Sequence, residues 1–379
     1  MNNIAFVTGF DPFVYRRPIF AKKALPNLKI YFYRLILKRL GYSGRLYSAF
    51  LFKASQLERA FLNKMRINGD AYFTRLLNEI LYSVSFHGLN MDIIISLNPY
   101  FGSRLIWGYR PTIIIDWMDV WMWPWDEIHP LDVKLVGEAD KVIFWSKPMM
   151  EIITRRINLK KFTYVPYGID FLTFNPMEYG KPDYIKERYS IGNRFVLLYS
   201  GGVWRVKGFD LQGIDKVLRA FAIVTKKLRD VILVLQISRI DEVTSRLIKK
   251  LGIANKSLII GPLPYDSFER QSIFAAADVM LAPTSRHPTV YYAERMKFFD
   301  YMAAGKPIIA ELSPGALSVL GNSAQYVKLG DIQGIADTIC ELYSNKELRE
   351  ELSEKTKKRS LMFRWDRLLP SYRDFILCA

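Results

Sequence analysis

Two neighbouring glycines and two basic residues follow an apolar run in the segment YSGGVWRVKG, residues 199–208. Gly201 and Gly202 have no side chain, so the backbone there can approach a bound group closely. Arg205 and Lys207 stand just before a predicted helix, whose N-terminus adds partial positive charge. Glycines, cations and a helix N-terminus together favour a bound diphosphate. The spacing matches neither a P-loop nor the Gly-x-Gly-x-x-Gly pattern of dinucleotide-binding folds.

A second segment with polar side chains at regular positions is TSRHPTVYYAERMKFFDYMAAGKPIIA, residues 284–310. Its predicted helix carries Lys297 and Asp300 ahead of a Gly-Lys-Pro turn. A carboxylate in this place can accept hydrogen bonds from a ribose diol. His287, at the head of the segment, is a candidate for contact with the same ligand. The alternative for Lys297 and Asp300 is an ordinary surface pair on an amphipathic helix.

The elements that must position these segments form two similar series of apolar runs and helical stretches. The predicted strands are 4–8, 91–97, 112–116, 141–146 and 162–166, then 194–200, 231–237, 257–261, 278–283 and 306–311. The predicted helices are 27–40, 46–66, 71–86, 130–138 and 148–157, then 210–228, 241–251, 265–277, 291–304, 331–344 and 346–359. Continuous apolar strands separated by helices indicate parallel sheets covered on both faces. We therefore expect two doubly wound α/β domains, a linker near 175–190 and a ligand site in a cleft between the domains, at the carboxyl ends of the strands.

Taken in order, the segments resemble glycosyltransferase family 4, a large retaining family with the GT-B fold, over nearly the whole chain. Three segments are similar to its domain crossover, its phosphate loop and its donor-sugar and ribose helix, namely VPYGIDFLTFNP (165–176), YSGGVWRVKG and MKFFDYMAAGKPIIA. Three more resemble the stretch before the crossover, an N-domain loop and a terminal helix that crosses back onto the first domain, namely ADKVIFWSKPMMEII (139–153), IIIDWMDVWMWP (113–124) and FRWDRLLPSYRDFI (363–376). The resemblance implies an acceptor-side domain over 1–175, a nucleotide-sugar domain over 190–360 and a returning helix over 361–379.

The resemblance also implies a hexosyltransferase that uses a nucleoside-diphosphate sugar and requires neither a metal nor another cofactor. Lys207 would neutralise the donor diphosphate, and Asp119 would act from the acceptor side. The donor would be held by Gly201, Gly202, Lys207, His287, Glu294, Lys297 and Asp300. Gly202 holds the place of the family's loop arginine, so we predict that Arg205 replaces its charge as a catalytic residue. Tyr292 holds the place of the first of the family's paired acids, with Glu294 two residues further on.

Basic residues are concentrated near the N-terminus. The formal net charge is +17, and residues 1–66 hold 13 Lys and Arg against two acidic residues, a balance of +11. Such a region favours an anionic partner, which can be a membrane leaflet, a lipid phosphate or a nucleic acid. In the predicted helix 27–40, Arg34, Lys38 and Arg39 flank a broad apolar face, as in helices that bind membrane surfaces. A solvated basic face is the alternative interpretation.

Four tryptophans lie between positions 117 and 125. One or two of them are expected in the core. Trp121 and Trp123 are predicted to lie on a loop that contacts an acceptor sugar or a membrane interface, since indole rings suit both places.

Location is predicted from segments that the sequence lacks. No apolar run approaches the roughly 20 residues that a spanning helix needs, and the N-terminal residues do not read as a secretory signal. The two cysteines form neither a disulfide framework nor a metal-ligand pattern. We therefore predict a cytoplasmic protein held peripherally on the inner face of the cell membrane, with a glycan or polyprenyl-phosphate-linked acceptor.

Two other classes of function stay open on the sequence. A nucleotide-sugar epimerase or a phosphorylase would share the two-domain architecture. A non-catalytic protein that binds nucleic acid or other anions would explain the basic charge. The sequence has no helix-turn-helix, zinc or sheet-aromatic pattern, so we predict that nucleic acid is not a partner.

Overall fold

The computed structural model describes residues 3–8, 16–34, 90–99, 110–118, 120, 122, 127–128, 130–206 and 208–378. The chain divides into two compact units. The first comprises Met1–Pro166 together with Leu368–Ala379, and the second comprises Tyr167–Arg367. The polypeptide therefore leaves the first unit once and returns to it with its last residues.

The first unit contains a parallel six-stranded sheet. Its strands are β1 (Asn3–Thr8), β2 (Lys29–Arg34), β3 (Ile93–Leu97), β4 (Thr112–Trp117), β5 (Lys141–Phe144) and β6 (Phe162–Tyr164), in the spatial order β2-β1-β3-β4-β5-β6. The described helices of this part of the chain are α1 (Arg17–Ala24), α2 (Pro130–Glu138) and α3 (Lys147–Thr154). Every residue of β3 is buried, as expected for a parallel strand that is covered on both faces.

Residues 27–40 depart most from the predicted elements. Lys29–Arg34 is strand β2, which pairs in parallel with β1 from Asn3↔Lys29 to Thr8↔Arg34. The predicted helix is therefore wrong over these residues, and Lys38 and Arg39 lie outside the described residues, as do the predicted helices 46–66 and 71–86. The run KIYFYR is rich in aromatic side chains, which suit a pleated surface, and pairing with β1 outweighs its helical periodicity.

The second unit contains another parallel six-stranded sheet. Its strands are β7 (Phe195–Gly201), β10 (Val231–Ile237), β11 (Ser257–Ile260), β12 (Val279–Ala282), β13 (Ile308–Glu311) and β14 (Ala324–Val327), in the spatial order β11-β10-β7-β12-β13-β14. The order reverses between β7 and β12, and ligands of doubly wound sheets bind outside the carboxyl ends of strands at such a point. A small antiparallel ribbon, β8 (Arg205–Val206) and β9 (Phe209–Asp210), follows β7. The sequence had not predicted this ribbon or β14.

The described helices of the second unit are α4 (Pro176–Tyr179), α5 (Pro182–Arg188), α6 (Ile214–Lys227), α7 (Glu242–Lys250), α8 (Phe268–Ala276), α9 (Pro288–Tyr291), α10 (Met296–Ala303), α11 (Pro314–Leu320), α12 (Ile332–Ser344) and α13 (Lys346–Ser360). The last helix, α14 (Trp365–Leu377), belongs to the first unit from Leu368 onwards. Helix α6 buries Val217, Phe221 and Val224 at helical spacing against the strands. The predicted class, two parallel-sheet α/β domains, is confirmed.

Candidate functional site

The carboxyl end of β7 lies at the reversal of strand order in the second sheet. Gly201 ends this strand with φ of +150°, and a Cβ added there would lie 3.0 Å from Nζ of Lys297. The positive φ favours glycine at position 201, and the absence of a side chain leaves room for the end of the lysine beside the backbone. A Cβ on Gly202 would meet no atom within 4 Å. The hydroxyl of Tyr199 donates to the carbonyl of Gly202, at 2.9 Å, and helps to fix this turn.

Lys297 extends from the first turn of α10 into this turn. Its side chain is largely buried, with a relative exposure of 8% for the residue, and Nζ lies 4.2 Å above the ring of Tyr199. Within the described parts of the chain, Nζ has no hydrogen-bond partner. Burial, and then the neighbouring Arg295, hold the pKa of Lys297 well below its ordinary value. A bound anion would relieve both effects, because it supplies hydrogen-bond acceptors and opposite charge.

Arg295 is a second buried cation beside Lys297, and the sequence analysis had not singled it out. It is 8% exposed, and one of its terminal nitrogens donates to the carbonyl of Pro283 at 2.6 Å. Its other terminal nitrogen has no hydrogen-bond partner among the described residues. Burial lowers the pKa of Arg295. Its position, two residues before Lys297 and at the start of the same helix, is a signal that could have identified it.

Asp300, the predicted ribose ligand, lies in a buried ion pair. Its two carboxylate oxygens accept hydrogen bonds from the hydroxyl of Tyr265 at 3.0 Å and from Arg270 at 2.9 Å. The guanidinium of Arg270 is stacked against the rings of Phe174, Tyr265 and Phe274, at 4.5 to 4.7 Å from their centroids. Burial opposes the charge on Arg270, but Asp300 and Tyr265 outweigh it and raise the pKa. The ribose role of Asp300 therefore stays a prediction, with a structural role established beside it.

Arg205, predicted to supply catalytic charge, is held by two carboxylates instead. Its guanidinium donates to Asp241 at 2.7 Å and to both oxygens of Asp215, at 2.6 and 2.9 Å. The bond to Asp215 is the largest cause of a raised pKa at Arg205. Two acids already pair with this cation, and a catalytic role for Arg205 stays a prediction. Arg205 anchors the β8–β9 ribbon to the starts of α6 and α7.

The start of α6 also differs from the prediction. The helix begins at Ile214 rather than near residue 210. The carboxylate of Asp210 accepts hydrogen bonds from the amides of Gln212, Gly213 and Asp215, at 2.9 to 3.0 Å. The amides at the helix N-terminus that was expected to add positive charge are therefore occupied by a side chain of the loop itself.

The other predicted donor residues of the second segment are buried. His287 is 1% exposed at the start of α9, and burial lowers its pKa. Glu294 accepts a hydrogen bond from the hydroxyl of Ser318 at 2.6 Å. Donor contact by either side chain stays a prediction.

Several predicted residues lie outside the described residues, namely Asp119, Lys207, Lys38, Arg39, Trp121 and Trp123. Arg34 lies at the end of β2. Trp117 is buried, with its ring 5.7 Å from that of Phe144, so it belongs to the core of the first unit.

The described residues contain no group of three or more His, Cys, Asp or Glu side chains placed to hold a metal ion. None of their helices combines the length and the apolar character that crossing a membrane requires.

Comparison with known proteins gives a consistent result for the fold. The family described as glycosyl transferases group 1 matches residues 183–359. A glycosyltransferase from Rickettsia africae superimposes with a TM-score of 0.70 at 16% identity, covering 100% of this chain and 99% of that one. Anabaena Alr3699/HepE in complex with UDP-glucose gives a TM-score of 0.68 at 14% identity, covering 98% of both chains.

A third solved structure has the same fold. WaaG, a glycosyltransferase involved in lipopolysaccharide biosynthesis, gives a TM-score of 0.68 at 12% identity, covering 99% of this chain and 100% of that one. No curated protein matches the sequence at a significant level. The structural matches show the fold, which is GT-B.

Proposed function

We propose that this chain, a glycosyltransferase of the GT-B fold, transfers a hexose from a nucleoside-diphosphate sugar with retention of anomeric configuration. The observation that carries the proposal is the carboxyl end of β7, where the bare backbone of Gly201 meets the buried Nζ of Lys297. An open backbone beside a buried cation fits the phosphates of a donor. A further support is that Anabaena Alr3699/HepE, of the same fold, was solved in complex with UDP and with UDP-glucose.

In the proposed reaction, the acceptor hydroxyl oxygen bonds to the anomeric carbon while the bond from that carbon to the diphosphate oxygen breaks. The hydroxyl proton passes to the departing phosphate on the same face of the sugar. Positive charge that stabilises the leaving diphosphate is then the main catalytic contribution of the protein. We assign part of that charge to Lys207, and we assign Asp119 to the acceptor side.

The first test concerns Lys207. We expect Lys207→Ala to lower donor turnover more than tenfold, because a charge-assisted contact to the diphosphate is lost. The measurement is nucleoside diphosphate release from a panel of nucleotide sugars, with circular dichroism to verify folding. Lys226→Ala, on the exposed face of α6, is the matched control and should turn over like wild type. Turnover close to wild type in Lys207→Ala would remove this residue from the site.

Activity of the wild-type protein should persist in EDTA, and loss of that activity would contradict the metal-free proposal.

We also propose that the acceptor is a glycan or a polyprenyl-phosphate-linked sugar at an anionic membrane surface. The support is the balance of +11 within residues 1–66. The predicted amphipathic helix no longer contributes over Lys29–Arg34, which is a strand. Each basic residue near an anionic leaflet contributes about 1 kcal/mol, so a few of them suffice for reversible binding.

Liposome co-sedimentation tests this acceptor proposal. Wild type should bind vesicles that contain phosphatidylglycerol, and salt should weaken the binding. The triple variant Arg34→Glu, Lys38→Glu, Arg39→Glu should bind at least tenfold more weakly, since six units of charge change. The matched control reverses three exposed lysines of the second unit, Lys226, Lys249 and Lys250, and should retain most of the binding. If wild type ignores these vesicles at low salt, the membrane proposal is wrong while the transferase assignment stands.

A further inference from the structure

Two buried cations at the carboxyl end of β7 have hydrogen-bond donors for which the described residues provide no acceptor. They are Lys297, through Nζ, and Arg295, through one terminal nitrogen. Each residue is more than nine-tenths buried. Buried charges are costly unless they are paired, and native proteins leave few buried polar atoms without a partner. Arg295 and Lys297 therefore lack the acidic partner that such buried basic groups need.

The acidic side chains whose charges act on these two residues are already engaged. Asp210 and Glu311 are the carboxylates whose charges act on Arg295, and Asp210 also acts on Lys297. Asp210 accepts three backbone amides at the start of α6. Glu311 accepts the amides of Thr284 and Gly330, both at 2.7 Å, and bonds Lys216 as well. Neither acid bonds Arg295 or Lys297, so among the described residues the two cations keep their capacity for an external anion.

The remaining neighbours are phenols rather than acids. The ring of Tyr199 lies under Nζ of Lys297, and the hydroxyl of Tyr301 donates to the carbonyl of Leu281 at 3.2 Å. Burial raises the pKa of both tyrosines, so both stay neutral at physiological pH. The backbone side of the site is Gly201, where an added Cβ would lie 3.0 Å from Nζ, a tight contact. The site thus combines two basic side chains, neutral walls and an open backbone.

We propose that Arg295 and Lys297 form the anion site that holds the donor's diphosphate, in place of the charge first assigned to Arg205, and that Lys297 takes up a proton when the diphosphate binds. The inference rests on the proposed function, because it names residues of the same donor site. In the free protein, burial and Arg295 favour the neutral amine. A phosphate oxygen beside Nζ reverses the balance, so a proton from solvent joins the amine as the anion arrives.

Calorimetric binding tests the assignment. The probe is whichever of UDP, GDP, ADP and dTDP binds wild type most tightly, and the matching nucleoside reports the contribution of the base alone. We expect Lys297→Met to weaken diphosphate binding tenfold or more and to leave nucleoside binding unchanged. Lys306→Met is the matched control. Lys306 is another lysine whose pKa burial lowers, but it precedes β13 and so lies at the opposite end of the sheet. The Lys306→Met variant should bind the diphosphate as tightly as wild type.

The pH dependence separates a binding role from a merely structural one. Between pH 7.5 and 9 a nucleoside diphosphate is already fully ionised, since its last phosphate pKa is near 6. Wild-type affinity should fall over this range as protonation of Lys297 becomes harder. The affinity of Lys297→Met should stay flat, and calorimetry in HEPES and in Tris should show proton uptake only for wild type.

Stability gives an independent measure of the same site. Lys297 has a folded-state pKa below its unfolded value, so between the two values the unfolded chain binds the extra proton and stability rises with pH. Lys297→Met removes this cost, and we expect its melting temperature without ligand to exceed that of wild type by about 2 °C or more at pH 7. This difference in melting temperature should become smaller as pH rises.

The outcomes are distinguishable from failure of the proposed function. Diphosphate binding that does not depend on Lys297 overturns the inference, even if nucleotide sugars are hydrolysed. If wild type binds none of the four diphosphates, the inference is overturned as well. Binding that depends on Lys297 without turnover of any nucleotide sugar supports the anion site and counts against the transferase proposal.

Discussion

Replacing Asp300 with alanine is expected to lower the free energy of unfolding by about 3–5 kcal/mol. The carboxylate is the acidic partner of Arg270, which is buried among three aromatic rings. Removing it leaves a buried guanidinium uncompensated and takes away the acceptor of the Tyr265 hydroxyl. Urea denaturation followed by circular dichroism measures the loss. A loss below about 1 kcal/mol, typical of an exposed pair, would contradict the structural role.

A double-mutant cycle separates this structural role from ribose binding. Arg270→Met removes the cation, and the combination with Asp300→Ala should be more stable than the sum of the two single losses predicts. If Asp300 also binds the donor, the double variant should regain part of its stability but stay at least tenfold less active than Arg270→Met alone. Equal activity in those two variants would limit Asp300 to a structural role.

Replacing Asp116 with alanine is expected to cost a similar amount, about 3–5 kcal/mol, in the first unit. Both oxygens of this β4 carboxylate bond the guanidinium of Arg17, at 2.8 and 3.1 Å, and neither side chain is accessible to solvent. The same carboxylate accepts the indole N–H of Trp145 at 2.6 Å and the hydroxyl of Tyr372 at 2.9 Å. Its loss leaves one buried charge and two buried donors without their partner.

Hydrogen exchange can locate the effect of Asp116→Ala. Amides of β4 should lose protection, while amides of β10 in the second unit should keep it. Tyr372 belongs to α14, so the returning end of the chain should lose protection together with β4. The matched control is Asp337→Ala, which breaks a pair with Lys227 whose side chains are about half exposed and should cost less than about 1 kcal/mol. Equal losses of unfolding free energy in Asp116→Ala and Asp337→Ala would contradict the structural role of Asp116.

The sequence by itself predicted most of the architecture. The run VILVLQI is apolar at six of its seven positions, as expected of a short strand covered on both faces, and it is β10 with every residue buried. The Gly201–Gly202 pair at the end of an apolar run predicted the turn at the ligand end of the sheet. Lys297 and Asp300 were singled out because they lie on a predicted helix ahead of a Gly-Lys-Pro turn, and their roles toward a donor stay predictions.

The local sequence pattern predicted the wrong element where strand and helix signals compete. The run KIYFYR supports a helical wheel and a strand equally well, and pairing with β1, more than 20 residues earlier, decided for the strand. Short elements such as the β8–β9 ribbon carry too few residues for any periodicity to identify them.

The partners of each charged group were decided only by the tertiary structure. From sequence, Arg205 was assigned charge for a diphosphate, and Lys297 was assigned only to the donor-binding helix. The fold brings Asp215 and Asp241, 10 and 36 residues away, against Arg205, and it buries Lys297 beside Gly201 without an acid bonded to it. Arg270 reaches Asp300 across 30 residues in the same way. The sequence gives the chemical type of each side chain, but the free energy of its charged form depends on burial and on partners from distant positions. Only the folded chain brings those partners together.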